Sequence, residues 1–169
     1  MKKICIDSSR FYKKNSIFAT AMPSMEKIIV DLHELATSGQ KLNVSLEDDF
    51  FKGLEQDEIL GGDVEAQLSA REGAGGIFEV SMSAKGFVRV VCDRCLDELI
   101  LPVQAEDVIE IGSEQLEDMR VADMRLLQKG EFRRDLGWCL YELIELSLPL
   151  QRTHEINECN PDMVKFLTE

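Results

Sequence analysis

The chain has 169 residues, 44% of them hydrophobic and 30% charged, with a formal net charge of −13. That length suits one domain and buries enough surface to fold without disulfide staples. No apolar run approaches the roughly 20 residues that span a bilayer, and neither a collagen period nor a low-complexity tract is present, so wholly disordered, fibrous and helical membrane classes drop out.

The charge is unevenly spread. Residues 1–24 carry Lys2, Lys3, Arg10, Lys13 and Lys14 against Asp7 alone, and the remaining 145 residues carry −17. An acidic body repels phosphate at long range and attracts basic partners; the alternative is that the charge serves only solubility.

Residues 1–24 read as a loose basic extension. A basic nucleic-acid arm is the alternative, as is a gene start misplaced upstream of Met22 or Met25. Residues 25–169 read as a single domain. Ser8–Ser9, Lys13–Lys14 and Asn15 interrupt any apolar core of a secretory signal. A cytoplasmic protein is therefore expected.

Glu26–Leu32 reads as a first strand, and Asp31–Leu35 as a turn or short helical turn in which His33 is a surface residue. Ser38-Gly39 breaks the chain. Leu42, Val44 and Leu46 alternate with polar residues, the period of a half-buried strand. Acidic residues Glu47, Asp48 and Asp49 precede Phe50, Phe51 and Leu54, which suits a short helix closed by Gly61-Gly62. From Asp63 the pattern becomes antiparallel sheet, with alternation over Val64–Arg71 and a hairpin turn at Gly73–Gly76. Ile77–Ser83 and Phe87–Cys92 follow as strands separated by Lys85-Gly86. Leu99–Val103 and Val108–Ile111 come next, with Pro102 placing the first at an edge or a break.

Gly112–Asp118 reads as an acidic loop, and Met124–Gln128 and Glu131–Arg134 as a short strand pair. The period then turns helical. Leu136, Leu140, Leu143, Ile144, Ser147 and Leu148 share one face, with Glu142 and Glu145 opposite, Asp135 as N-cap and Pro149 as the stop. Cys139 falls among the core positions, and Trp138 reads as a lid on the sheet, with an exposed anchor as the alternative. The fold class is α+β: a mostly antiparallel sheet with an amphipathic C-terminal helix packed on one face.

Chemistry concentrates in the cysteines. They number five (Cys5, Cys92, Cys95, Cys139 and Cys159), an odd count. In a reducing compartment, a close pair points to metal or redox chemistry before a structural disulfide. Cys92-Asp-Arg-Cys95 is a C-x2-C knuckle, a spacing that turns two thiolates toward one tetrahedral ion. His154 and Cys159 supply a third and fourth ligand for zinc, the one cofactor expected; the alternative is reduced cysteines without metal. A thioredoxin-like pair fits less well, because Asp93, Asp97 and Glu98 surround the knuckle and raise a thiol pKa. No catalytic constellation accompanies the site: there is no nucleophile elbow and no phosphate loop, and the histidines number two. A non-enzymatic protein is expected. Against the acidic background, Arg120, Arg125, Lys129, Arg133 and Arg134 cluster within fifteen residues, and Arg89 and Arg94 lie near the knuckle. These seven form a candidate patch for nucleic acid or another partner, or they pair with neighbouring Glu117, Asp118, Asp123 and Glu131.

The order of these features resembles a bacterial family. Val90-Val-Cys-Asp-Arg-Cys-Leu96 is followed by an acidic stretch, then Asp135-Leu, the helix Tyr141-Glu-Leu-Ile-Glu-Leu-Ser-Leu-Pro149, and His154-x4-Cys159. Over about residues 63–164 the chain is similar to the YceD family, and Asp162-Met-Val164 resembles the stretch after the last cysteine in some members. Cys92, Arg94, Cys95, His154 and Cys159 match that family's motif positions. The resemblance implies a part in the accumulation of large-subunit ribosomal RNA, through its synthesis, processing or stability, with no assigned catalytic residue. Related plant organelle proteins are likewise implicated in large-subunit ribosomal RNA maturation. The implied partners are the ribosomal RNA precursor or basic ribosomal proteins. The alternative is a metal-clipped acidic adaptor or chaperone for basic proteins, without RNA contact.

Overall fold

A computed structural model describes residues 27–112 and 132–167. Strand β1 (Ile29–Asp31) leads directly into helix α1 (Leu32–Ser38). The Asp31 carboxylate accepts the Glu34 N–H at 3.0 Å, and Gly39 ends the helix at φ 61°, the left-handed region glycine enters freely. Strand β2 (Leu42–Leu46) and helix α2 (Asp48–Gly53) follow, the latter with Asp48 and Asp49 at its positive end.

Three long strands make the frame: β3 (Gly61–Glu72), β4 (Phe78–Val91) and β5 (Glu98–Ile111). With β2 they form an antiparallel sheet in the order β2-β3-β4-β5. Cross-strand rows such as Leu46–Val64–Gly86–Val103 and Val44–Ala66–Ala84–Ala105 run across one face. That face is apolar at every second residue and buried, as a one-sided sheet requires. Helices α1 and α2 pack on β3 beside it.

A second, two-stranded sheet pairs β1 with β6 (Arg133–Asp135). Helix α3 (Gly137–Glu145) then lies against β4 and β5, burying Cys139, Leu140, Tyr141, Leu143 and Ile144. A last short helix, α4 (Pro161–Leu167), is not signalled by the sequence pattern. Antiparallel sheet with short helices is the α+β class that the alternation predicts. Among the described residues, no helix is long and apolar enough to cross a membrane.

Several boundaries differ from expectation. The first strand is shorter, and Gly61-Gly62 opens β3 instead of closing α2. Lys85-Gly86 does not interrupt β4, because Gly86 sits at φ 157° directly opposite Val64. A Cβ there would collide with the Asp63 carbonyl, so glycine allows the two backbones to close up and the strand to continue. The two segments around Pro102 are one strand, β5, and it lies at the sheet edge, where a missing N–H is tolerated. Asp135 is held in β6, and Leu136 is the N-cap residue of α3; the Asp135 carboxylate still accepts the Gly137 N–H at 3.0 Å. The helix stops at Glu145, leaving Ser147 and Leu148 beyond it. Its polar side is not a plain solvated face. Glu142 is half-buried and accepts the indole N–H of Trp138 at 2.8 Å, while the Trp138 ring lies 5.0 Å from that of Tyr141. The extension 1–24, most of the acidic loop and the expected strand Met124–Gln128 lie outside the described residues.

Candidate metal centre

The β4–β5 hairpin turns through residues 92–97, so the knuckle is its loop. The Cys92 N–H donates to the Asp97 carbonyl at 2.9 Å, and the Leu96 N–H to the Cys92 carbonyl at 3.0 Å. Closing so tight a turn forces Leu96 to φ 63°; among the described residues it is the one non-glycine with positive φ.

The chain returns to this loop after α3. The Asp93 N–H donates to the Arg152 carbonyl, and the Arg152 N–H to the Asp93 carboxylate, both at 2.7 Å. The Arg152 guanidinium also grips Glu58 at 2.6 Å. This splice sets His154 beside the knuckle two residues later. A turn in which the Cys159 N–H donates to the Glu155 carbonyl then brings the third sulfur back.

The three cysteines are buried and His154 is half-buried. One ligand atom from each of Cys92, Cys95, His154 and Cys159 lies within 4.8 Å of all the others. Tetrahedral zinc with Zn–S near 2.3 Å sets its sulfurs about 3.8 Å apart, so a closure of about an ångström completes the shell.

The histidine is already turned for the task. Its Nδ1 lies 3.4 Å from Cys95 Sγ, and its Nε2 lies 3.1 Å from the Glu98 carbonyl oxygen. A carbonyl only accepts, so Nε2 carries a proton, and Nδ1 is the ring nitrogen that faces the sulfurs and would ligate a metal once the ring is neutral. An outer hydrogen bond of this kind is how metal-ligating histidines are oriented.

Backbone dipoles favour thiolates in the knuckle. Burial pushes the Cys92 thiol up, but N–H groups of Cys95, His154 and Arg94 outweigh it and hold the pKa down at about 6. The Asn160 N–H, against opposing burial, likewise lowers Cys95. Hydrogen bonding first to Cys95 and then to Cys92 raises His154. Cys159 is raised, by burial first and then by Cys95, while Arg94 opposes both. The Arg94 guanidinium lies 3.3 Å from the His154 carbonyl and 3.6 Å from Cys159 Sγ. Three thiolates and a neutral imidazole around a dication leave a net −1, which this cation offsets. Four protein ligands of borderline-soft character fit zinc in a closed, structural site.

All four expected ligands are thus brought together. Of the expected cationic patch, Arg89 on β4 is ion-paired with Asp48 and reaches Glu98 at 3.9 Å, and Arg94 is turned into the cluster. Arg133 and Arg134 lie on β6, while Arg120, Arg125 and Lys129 are outside the described residues. Sequence reasoning missed the Glu98 carbonyl, the Asn160 N–H and the Asp93–Arg152 splice. Two of these are backbone groups with no sequence signature; Asp93, expected to raise the thiols, instead holds the Arg152 N–H, and both knuckle thiols are lowered.

No protein-family model, curated protein or solved structure matches the chain.

Proposed function

We propose that the protein is a non-enzymatic ribosome-biogenesis factor that promotes accumulation of large-subunit ribosomal RNA, with zinc clipping its β4–β5 loop to the segment after α3. The observation that supports it is the closure in space of Cys92, Cys95, His154 and Cys159, with Arg94 against them. These five residues are among the positions at which the chain resembles the YceD family. Zinc, when bound, supplies a structural crosslink. The chain's own residues do the rest: Glu98 orients His154, and Asp93 and Arg152 hold the tail in reach. The ion stabilises the surface that meets the ribosomal precursor or a basic ribosomal protein, and chemistry on RNA is left to other factors. Sedimentation of a cell lysate tests the reading. The protein is expected to migrate with precursors of the large subunit, and its loss to lower large-subunit ribosomal RNA relative to small-subunit RNA. Migration only with free protein and an unchanged RNA ratio would overturn it.

A further inference from the structure

The outward face of the β3–β4–β5 sheet is not uniformly polar. Beside the knuckle, Phe87 is 41% exposed, Val91 37% and Ile100 60%. Register makes them neighbours: Phe87 lies opposite Pro102, Arg89 opposite Ile100 and Val91 opposite Glu98. Ile100 is thus diagonal to both Phe87 and Val91, a spacing of about 7–8 Å that large side chains still reach across, so the three form one patch around Arg89. Exposed contiguous apolar surface on a sheet marks an interaction site more often than isolated exposed residues do.

Charge selects the occupant. The same face carries the carboxylates of Asp63, Glu65, Glu79, Glu98, Glu106 and Glu110 against the cations Arg71, Lys85 and Arg89. Arg71 is paired with Glu79, and Arg89 with Asp48 and Glu98. Phosphate therefore meets net repulsion here. A second copy of the same acidic chain, at −13 overall, meets it too. We infer that this face docks a cationic polypeptide segment whose apolar side chains cover Phe87, Val91 and Ile100 while its Lys or Arg side chains meet Asp63, Glu65 and Glu106. The inference rests on the protein-contact branch of the function proposed above and names the surface that would serve it.

Titration of the full-length, metal-loaded protein into a short fluorescent peptide of alternating lysine and leucine tests it. Saturable binding is expected that weakens with salt and falls about tenfold in Phe87→Ser and in Ile100→Ser. Leu150→Ser, at a fully exposed position outside the strands of this sheet, should bind like the parent. Should Phe87→Ser melt early, Ile100→Lys provides the second reading, because an exposed cation there repels the peptide without emptying a core position. No saturable binding, equal binding of an all-lysine peptide, variants that bind like the parent, or displacement of the peptide by oligouridine would each overturn the inference. Failure of peptide binding while the protein still migrates with ribosomal precursors would remove this surface alone. Binding without such migration would instead remove the ribosomal reading.

Discussion

His154 and Cys95 stand 59 residues apart in sequence, yet Nδ1 of one lies 3.4 Å from Sγ of the other. The contact depends on α3 packing back across β4 and β5, which returns the chain to the hairpin loop. The Asp93–Arg152 splice then fixes the register of the tail. Sheet, helix and cluster therefore depend on one another.

Leu140 and Ile144 are fully buried on α3. Replacing either with alanine should cost about 2–5 kcal/mol, the usual price of a buried aliphatic deletion. Leu150→Ala, at a fully exposed position, should stay within about 0.5 kcal/mol. Chemical denaturation separates the two, and equal losses would mean that α3 does not pack as described. Glu142→Ala should fall between them at about 1 kcal/mol, because it releases the Trp138 indole N–H.

How much of this was legible in the sequence depends on which forces act locally. Period-two alternation marked β3, β4 and β5 because one face is buried and the other wet. Lys85-Gly86 reads locally as a break, since glycine is a breaker by propensity, and Pro102 reads as an edge or a break, of which the edge is what the sheet shows. Long-range pairing decides both: Gly86 admits the Asp63 carbonyl, and Pro102 sits on an edge strand. The helix start slipped from Asp135 to Leu136 because β6 pairs with β1, a partner distant in sequence. The four ligands were visible as residue types. Their outer shell was not, because the Glu98 carbonyl and the Asn160 N–H belong to the backbone.

The knuckle turn stores backbone strain at Leu96, whose φ is 63° and which is 63% exposed. A β-branched residue tolerates this region worse than leucine, and glycine better. Leu96→Val should lower stability by about 1–2 kcal/mol, and Leu96→Gly should be neutral or stabilising. Thermal melts of the metal-loaded protein read the order directly. Stability greater for Val than for Gly would contradict the left-handed turn.

Alkaline stability should report on Tyr141. Burial pushes its hydroxyl up to about 12, with Glu145 and Glu58 adding to the rise. The folded protein thus holds the proton more tightly than the unfolded chain, whose tyrosines titrate near 10. The resulting stabilisation is fully present below about pH 10 and is lost as pH rises through about 12. Denaturation midpoints across that window should fall less steeply in Tyr141→Phe than in the parent. Identical slopes would place the ring in a wetter site than the structure gives it.

The clip itself is tested by metal analysis of the full-length protein purified without chelator, alongside Cys95→Ser, with the melting temperature of each. One equivalent of zinc is expected in the parent, with loss of the metal and a melting temperature lowered by several degrees in the variant. Parent protein that holds no zinc after incubation with the ion, and melts as Cys95→Ser does, would contradict the account.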